Sequence, residues 1–331
     1  MFLTITIILL ILGLILIVKG ADIFVDGISS LARHLKVSTF VIALTVVAFG
    51  TSAPELAISF TGILNGNDDL VFANVVGSSI VNILLILGLA AVIHPIKVKS
   101  STVKKEIPMV LLMYTTLVIL YMDNLFDYHI TNQLTRTDGM ILILFFTVFI
   151  YYLFSVMRNI KMSENVPIDE KPKLDKKWSV ICSIVGLAMI ILGSNLTVDN
   201  ATLLATRLNV GEKVISMTII TIGTSLPEIV MSVIAVKKNE FDFTLGNIIG
   251  TNIFNIGIVL GLPLMLCGGI TPLSFAGPDM IMLLISALLL FLFAGSDKII
   301  SKKEGIMLLI IFVIYYVYLF HERNLFEADP L

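Results

Sequence analysis

The chain has 331 residues, of which 57% are hydrophobic and only 14% are charged, and its mean hydropathy is +1.00. These values exclude an ordinary soluble domain and indicate a polytopic membrane protein. The formal net charge of −2 points to no particular partner.

Ten apolar runs are each long enough to cross roughly 30 Å of hydrocarbon, which takes about 20 helical residues. The runs lie at approximately residues 2–19, 38–64, 70–93, 106–122, 138–157, 178–196, 213–236, 243–268, 277–294 and 304–320. We therefore predict ten membrane spans. The first run lacks the basic segment and cleavage site of a signal peptide, so we expect it to be a retained helix.

The positive charges predict the orientation of the chain. If ten helices alternate sides, 18 of the 22 Lys and Arg residues follow the odd-numbered spans, and four lie on the other side. The positive-inside rule then places both termini outside the cytoplasm. We expect the chain to lie in the cytoplasmic membrane of a prokaryotic cell. The longest hydrophilic segment, residues 158–177, becomes a cytoplasmic linker that resembles a tether.

The sequence contains one unit twice, because adding 173 to a position in the first half gives its counterpart in the second. Residues 20–88 and 193–261 share 24 identities in 69 ungapped positions. We expect five-helix repeats at 1–157 and 178–331, joined by the linker at 158–177. An odd number of crossings makes the repeats face opposite ways. The expected fold is an all-α membrane protein of ten helices in two inverted five-helix repeats, with broken helices at a midplane site.

Span 1 leads into a polar connector that runs from Asp22 to Lys36. Its Asp26 has a counterpart in Asp199 of the second half. We expect these two carboxylates to cap helices or to meet a nearby basic group, and an entrance role is the second interpretation.

Span 2 contains the segment Gly50–Glu55, which returns in span 7 as Gly223–Glu228. Each copy places a glutamate in an apolar run, where an ionisable side chain costs roughly 2.5 to 3.5 kcal/mol and persists mainly where it binds something. Pro54 and Pro227 each lack an N–H, so both helices should break there and free a backbone carbonyl. Such irregular backbone is tolerated only where it is buried or lines a cavity.

Span 3 carries a polar side chain every fourth residue, on one face of the helix, and span 8 repeats the pattern. These residues are Asn74, Ser78 and Asn82, followed by Asn247, Thr251 and Asn255. An isolated Ser or Thr here would usually bond to the preceding turn, and Asn74 and Asn247 are better explained as bridges between helices. Spans 4 and 5 contain almost no polar residues at depth, and we assign them a scaffold role.

All of these candidate ligands are hard oxygen atoms, without histidine or cysteine, which favours calcium, sodium or magnesium over zinc or copper. No Lys or Arg lies at that depth in spans 2, 3, 7 and 8 to neutralise the glutamates. Two carboxylates supply about two negative charges, which one divalent ion or at least two monovalent ions neutralise. Competition of this kind predicts antiport by alternating access, with no cofactor and no enzymatic activity.

Three other interpretations stay open at this point. The same fold could couple calcium, or another divalent cation, to protons. The two carboxylates could serve an intramembrane enzyme as acid and base, although that gives no reason for two inverted copies. A passive channel is the third alternative. In each case the expected partners are ions and the lipid bilayer, with no nucleic acid and no protein partner evident.

With its paired Gly-Thr-Ser-x-Pro-Glu segments and asparagine-hydroxyl stripes, the chain resembles the calcium/cation antiporter superfamily, specifically its prokaryotic sodium/calcium exchangers. The resemblance implies calcium/sodium exchange, with spans 1 and 6 as sliding gate helices. It implies calcium ligands at Thr51, Glu55, Thr224 and Glu228. It implies sodium ligands at Ala48, Thr51, Ser52, Glu55, Ser78, Asn82, Thr221, Thr224, Ser225, Glu228, Thr251 and Asn255, of which positions 48 and 221 contribute carbonyl oxygens.

Two details of the resemblance bear on the counter-ion. Potassium-dependent exchangers carry an acidic residue where this chain has Asn255, which argues against potassium coupling. Proton/calcium exchangers of the superfamily tend to carry Gly-Asn-x-x-Glu in place of Gly-Thr-Ser-x-Pro-Glu, which favours sodium.

Overall fold

A computed structural model describes residues 2–123, 132–162, 172–207, 221–272 and 277–326. Within these ranges the backbone is almost entirely helical, with two short strands. A chain surrounded by lipid must satisfy its backbone N–H and C=O groups internally, and a helix does so within one segment. The all-α part of the predicted fold class is confirmed.

The elements of the first half are helices, two of which continue through a π-helical stretch, and one strand. In chain order they are α1 (Phe2–Leu35), α2 (Thr39–Ile42), π1 (Ala43–Val47), α3 (Ala48–Thr51), α4 (Ala53–Leu64), α5 (Asp68–Val81), π2 (Asn82–Leu87), α6 (Gly88–Ile93), β1 (Ile96–Lys97), α7 (Ser100–Lys104), α8 (Glu106–Tyr121) and α9 (Arg136–Met162).

The elements of the second half follow a similar order. They are α10 (Lys176–Arg207), α11 (Thr221–Thr224), α12 (Leu226–Lys237), α13 (Phe241–Phe254), π3 (Asn255–Leu260), α14 (Gly261–Cys267), α15 (Gly277–Ser296), β2 (Ile299–Ile300) and α16 (Lys302–Phe326). Residues 163–171 of the predicted linker and residues 213–220 of the predicted run 213–236 lie outside the described residues.

Membrane-spanning helices are present, as the apolar composition predicts. In the described ranges six helices are long and apolar enough to cross a membrane. A seventh crossing is counted if Thr39–Thr51 and Ala53–Leu64, which meet at a bend of 43°, form one broken span. The full count of ten spans and the inverted relation of the repeats stay predictions.

The first helix is longer than its apolar run, because α1 continues through the predicted polar connector to Leu35. Its charged side chains have partners that make a helical conformation favourable. Arg33 lies 2.7 Å from Glu240, and Asp26 lies 2.8 Å from Lys238 and 3.4 Å from Lys173. The expectation that Asp26 meets a basic group is confirmed, whereas the connector is a continuation of the helix.

Helices α1 and α10 pack antiparallel along a series of glycines. A Cβ atom added at Gly20 would lie 2.9 Å from the carbonyl oxygen of Gly186, and one added at Gly193 would lie 2.7 Å from that of Gly13. Small residues of this kind let two backbones approach closely in a membrane. The outer faces of both helices expose large apolar side chains, as a lipid-facing pair would.

Two helical rods form the centre of the molecule. The apolar window of the rod α5–π2–α6 is 72% buried and that of α13–π3–α14 is 83% buried, compared with 22% for α1. Both rods therefore lie inside the bundle, while α1 lies at its periphery. The π-helical stretches begin at Asn82 and Asn255, which are counterparts in the sequence repeat.

Short backbone pairings join the ends of these rods to other helices. Strand β1, after α6, pairs antiparallel with β2, before α16, with Ile96 opposite Ile300. Leu134, before α9, forms an isolated antiparallel bridge with Ile270, after α14. Each rod thus ends in a pairing with the residues that precede the last helix of the other half.

Candidate cation site

The first break in the helical backbone lies at Ser52, between α3 and α4. Ser52 has φ −82° and ψ 4°, and its N–H donates to the carbonyl of Ala48 at 3.0 Å. Pro54 stands in the first turn of α4 and has no N–H to offer to the carbonyl of Gly50. The predicted break is confirmed. Glu55 lies directly after it, in the first turn of α4.

The second break, at Ser225, has nearly the same geometry, with φ −84° and ψ 0° between α11 and α12. Pro227 again stands in the first turn, followed by Glu228. The carbonyl of Gly223, which Pro227 deprives of its helical donor, accepts a hydrogen bond from the Ser194 hydroxyl at 3.1 Å. A side chain of α10 therefore supports this break. Ala21, at the equivalent position of the first half, has no hydroxyl to do so.

Glu55 and Glu228 form the charged centre of the site. Each is only 1% exposed, and each stands in the first turn after one of the two breaks. Oε2 of Glu55 and both carboxylate oxygens of Glu228 lack hydrogen-bond geometry to any described donor, although the Thr51 hydroxyl lies within interaction range of Glu228. Buried carboxylates without a compensating partner are costly, so oxygens in this arrangement favour a cation.

The surroundings of the two glutamates offer no positive charge. The buried side chains of the described ranges include no Lys, Arg or His. Within the same ranges no cluster of three or more His, Cys, Asp or Glu side chains could hold a metal ion. The remaining oxygen atoms around Glu55 and Glu228 therefore belong to neutral groups.

Hydroxyl groups of the two breaks are buried beside the carboxylates. Thr51, Ser52, Thr224 and Ser225 are all at most 5% exposed. The Ser52 hydroxyl has no hydrogen-bond partner among the described residues. The Thr51 hydroxyl donates to the Ala48 carbonyl at 3.4 Å.

The two predicted carbonyl ligands belong to Ala48 and Thr221. The Ala48 carbonyl already accepts from the Ser52 N–H and the Thr51 hydroxyl, which occupy both of its lone pairs. It becomes available to an ion only if the Thr51 hydroxyl turns toward Glu228. Thr221 begins α11, and its side chain lies outside what the structure describes.

The two asparagine-hydroxyl stripes meet in the centre of the bundle. Nδ2 of Asn255 donates to the Ser78 hydroxyl at 2.9 Å, and Nδ2 of Asn82 donates to Oδ1 of Asn252 at 3.4 Å. Both bonds cross between the halves of the chain. They use the amide NH₂ groups and leave Oδ1 of Asn82 and of Asn255 without a described donor. The Thr251 hydroxyl is likewise buried without a described partner.

Asn74 and Asn247 differ from these central asparagines. Asn74 donates to the backbone carbonyl of Glu55 at 3.2 Å, so it bridges helices and positions the turn that carries the glutamate. Asn247 is fully buried, and its amide has no described partner. The structural interpretation of Asn74 agrees with its contact.

Sequence reasoning missed three buried polar features. Asn252, which bonds Asn82, is absent from the predicted stripe because its position in the first half holds Ser79. Glu106 accepts a hydrogen bond from Tyr152, in spans predicted to be almost free of polar residues. Asp279 accepts from Tyr315 at 2.7 Å. Glu106 and Asp279 are separated by the repeat distance of 173, a signal that could have identified them.

A cavity of about 640 Å³ reaches the second break from one end of the bundle. Pro54 and Thr224, next to the two breaks, line this cavity together with Leu70 at the start of α5 and Thr202 near the end of α10. The other lining residues are Ala53, Ala57, Ile58, Ile191, Ser194, Asn195, Val198 and Asp199. The breaks are thus accessible from the end where the α4–α5 turn lies.

Known proteins similar to this chain cover nearly its whole length. A family model described as "Sodium/calcium exchanger protein" matches residues 5–155 and 178–321. The "Putative antiporter CaxA" of Alkalimonas amylolytica is 36% identical over 326 residues, covering 95% of this chain and 98% of the relative. The "Sodium/calcium exchanger MaX1" of Methanosarcina acetivorans is 31% identical over 356 residues, covering 96% and 99%.

A solved structure of the sodium-calcium exchanger NCX_Mj, soaked with sodium and strontium, has a similar fold. It superposes with a TM-score of 0.81 at 34% identity, covering 95% of this chain and 98% of that one. The residues matched by the family model include both helix breaks and both central rods. This similarity supports the same fold and the same general activity, cation antiport.

Proposed function

Because this chain belongs to the sodium/calcium exchanger protein family, we propose that it exchanges calcium for sodium across the cytoplasmic membrane by alternating access. Members of this family are transporters and not enzymes. The observation that carries the proposal is the pair Glu55 and Glu228, two buried carboxylates without a buried basic partner in the described ranges. Such a pair needs cations to neutralise it.

Calcium would bind between Glu55 and Glu228, with the oxygens of Thr51 and Thr224 completing the shell. A divalent ion removes both negative charges at once, and carboxylate, hydroxyl and carbonyl oxygens are its preferred ligands. The matching dihedral angles at Ser52 and Ser225 support equal contributions from the two halves.

Sodium ions would bind at neighbouring positions that share these glutamates. The free Oδ1 atoms of Asn82 and Asn255 and the unpartnered hydroxyls of Ser52 and Thr251 are neutral oxygen ligands. Ser78, Ser225, and the carbonyls of Ala48 and Thr221 complete the proposed set. At least two sodium ions are needed to replace the charge of one calcium, so the two cargoes compete for the same carboxylates.

We also propose that the chain forms ten spans in two inverted repeats, at 1–157 and 178–331, with the linker 158–177 between them. Two features support this arrangement. The π-helical stretches start at the counterparts Asn82 and Asn255. The pairing of β1 with β2 and the bridge between Leu134 and Ile270 each join the end of a central rod in one half to the residues before the last helix of the other half.

In this arrangement both termini lie outside the cytoplasm and the cavity beside Thr224 opens outward. Helices α1 and α10, paired through close glycine contacts, would slide together as the gate. Without a cation the site holds two buried, uncompensated charges, and changing sides in that state is costly. One cargo must therefore be bound before the site can change sides, and this requirement couples the two fluxes.

Calcium uptake into vesicles tests the counter-ion. The purified chain is reconstituted, and uptake is compared in vesicles loaded with sodium, vesicles loaded with acid, and vesicles without a gradient. We expect an outward sodium gradient to drive uptake and a proton gradient to leave it unchanged. Uptake that follows the proton gradient and ignores sodium would replace our proposal with proton/calcium exchange, and flux without counter-flux would indicate a channel.

A further inference from the structure

A polar stripe on α10 lines the cavity. Asn195, Asp199 and Thr202 are spaced by four and three residues, which places them on one face of the helix. Ser194 and Thr224 line the same cavity. Asp199 is the one charged side chain among the described residues that line the cavity, and it is exposed.

The counterparts of this stripe on α1 already hold a positive charge. Subtracting 173 from the three positions gives Asp22, Asp26 and Ser29. The ammonium group of Lys238 lies 2.7 Å from a carboxylate oxygen of Asp22 and 2.8 Å from one of Asp26. It also donates to the backbone carbonyl of Asp22 at 2.7 Å. In the first half, the equivalent stripe on α1 therefore binds the positively charged side chain of Lys238.

The two ends differ in the residue that faces the stripe. Lys238 follows α12, and its counterpart after α4 is Asn65, which is neutral. The carboxylates of Asp22 and Asp26 on α1 are therefore paired with a lysine of the same chain, Lys238. The outer stripe on α10 opens to the cavity, and Asp199 makes no ion pair with any described residue.

We propose that Asn195, Asp199 and Thr202 form a recruiting site that binds calcium or sodium ions from the outer solution before they reach Glu55 and Glu228. This inference rests on the proposed function, because it requires the cavity to be the outer entrance of an exchanger. The ligands are one carboxylate, one amide oxygen and one hydroxyl, which suits a partly hydrated hard cation held briefly. A single charge in a cavity with low-dielectric walls raises the local cation concentration and the rate of entry.

The substitution Asp199→Asn tests the recruiting site without changing the shape of the side chain. At low ionic strength we expect the half-saturating calcium concentration on the outer side to rise about four- to ten-fold, while the maximal rate stays near that of the wild type. The electrostatic attraction is proportional to the charge of the ion, so the value for sodium should rise by only about the square root of that factor. High salt should reduce both effects. The half-saturating concentrations on the inner side should not change.

The substitution Asn65→Lys provides a second test, because it adds a positive charge near the proposed site. A lysine at this position should form an ion pair with Asp199, as Lys238 does with Asp26. The half-saturating calcium concentration on the outer side should then rise, as it should in Asp199→Asn. Asp123→Asn is the matched control, since it removes an acidic residue outside the described cavity lining.

Three results would overturn the recruiting site: an unchanged outer value in Asp199→Asn, an equal rise on both sides, or an equal rise in Asp123→Asn. Wild-type vesicles in the same assay report on the proposed function separately. If they exchange no calcium for sodium, exchange itself is refuted, whereas normal wild-type exchange with an unaffected Asp199→Asn refutes only the recruiting site.

Discussion

The charge of each glutamate determines what the site can bind. Glu55 and Glu228 are both buried, and a divalent cation offsets two negative charges more fully than one monovalent ion does. Replacing one carboxylate with an amide leaves a single negative charge for an ion of charge two. The site then matches a monovalent ion better than calcium.

We therefore expect Glu55→Gln and Glu228→Gln each to reduce sodium-driven calcium uptake by at least about a hundred-fold, since an uncompensated buried charge costs several kcal/mol. Uptake of radioactive calcium into sodium-loaded vesicles measures the effect. Glu106→Gln is the matched control, because Glu106 is also buried but is bonded to Tyr152 outside the site. Near-normal uptake in both glutamate variants would refute the proposed calcium ligands.

Asn252 positions Asn82, a proposed sodium ligand, through a hydrogen bond and does not itself need to touch an ion. Its Oδ1 accepts the NH₂ group of Asn82, so Oδ1 of Asn82 points away from that contact and has no described donor. Without Asn252 the amide of Asn82 can rotate, and its NH₂ group would compete with its oxygen for the position facing the ion. A cation binds only the oxygen.

The substitution Asn252→Ala should therefore weaken sodium binding more than calcium binding. We expect the sodium concentration for half-maximal exchange to rise about three- to ten-fold, which corresponds to the roughly 1 kcal/mol of one hydrogen bond. The calcium value should change less than two-fold. Asn252→Asp keeps an acceptor for Asn82 and should retain the sodium affinity better than Ala does. Equal losses for both ions in Asn252→Ala would indicate general damage to the bundle instead.

At the scale of elements, the breaks in the two helices follow from sequence, but their support does not. Pro54 and Pro227 predict a break because each removes a helical donor. The hydrogen bond from Ser194 to the carbonyl of Gly223 joins residues of different helices, and no local pattern indicates it. For the same reason the sequence predicts that Asn74 bridges two helices, but it does not predict that the partner is the carbonyl of Glu55.

The close contact between α1 and α10 depends on glycine at the interface. A Cβ at Gly20 would lie 2.8 Å from Cβ of Met189 and 2.9 Å from the carbonyl oxygen of Gly186. Both helices would have to move apart to admit it. Such overpacking costs about 1–3 kcal/mol.

Gly20→Ala should accordingly lower the midpoint of thermal unfolding in detergent and slow the exchange, because the gate helices no longer fit as one unit. Gly295→Ala is the control, since a Cβ there meets only Val103 at an ordinary distance of 3.7 Å. Fluorescence-monitored unfolding and vesicle uptake measure the two effects. Equal midpoints for Gly20→Ala and Gly295→Ala would mean that α1 and α10 are not tightly packed.

At the scale of the whole molecule, the sequence repeat predicts two equivalent halves, whereas the structure has unlike ends. The cavity lies beside α10, while the equivalent residues of α1 are engaged by Lys238. Which end is open depends on the conformation, and two equivalent repeats do not distinguish one end from the other. The repeat could therefore predict the pairing of the breaks and of the stripes, but not the open side.

The closed end is held by charged groups that link α1 to the α12–α13 turn. Arg33 and Glu240 are 2.7 Å apart, and their side chains are only 13% and 12% exposed. If α1 slides when the site turns inward, this ion pair has to separate. In the proposed orientation, the pair then stabilises the outward-open conformation relative to the inward-open one.

Removing this pair should increase the inward-open population. Losing a partly exposed ion pair costs about 1–2 kcal/mol, between the values for exposed and for fully buried pairs, and this shifts a two-state equilibrium roughly 5- to 30-fold. Ser29→Cys reports on this population, because Ser29 is 2% exposed at the closed end and its counterpart Thr202 lines the open cavity. With Cys182 and Cys267 replaced by serine, a membrane-impermeant thiol reagent applied from the cytoplasmic side measures how often the inner end opens.

We expect Arg33→Gln to raise the labelling rate of Ser29→Cys by about 5- to 30-fold, because labelling by a minor open state is proportional to its population. Lys99→Gln is the control at the same end, since Lys99 pairs with Asp242 of α13 and does not hold α1. Adding Glu240→Gln to Arg33→Gln should cause little further increase, because both changes remove the same contact. A labelling rate that Arg33→Gln leaves unchanged, or that Lys99→Gln raises equally, would show that this ion pair does not hold the inner end closed.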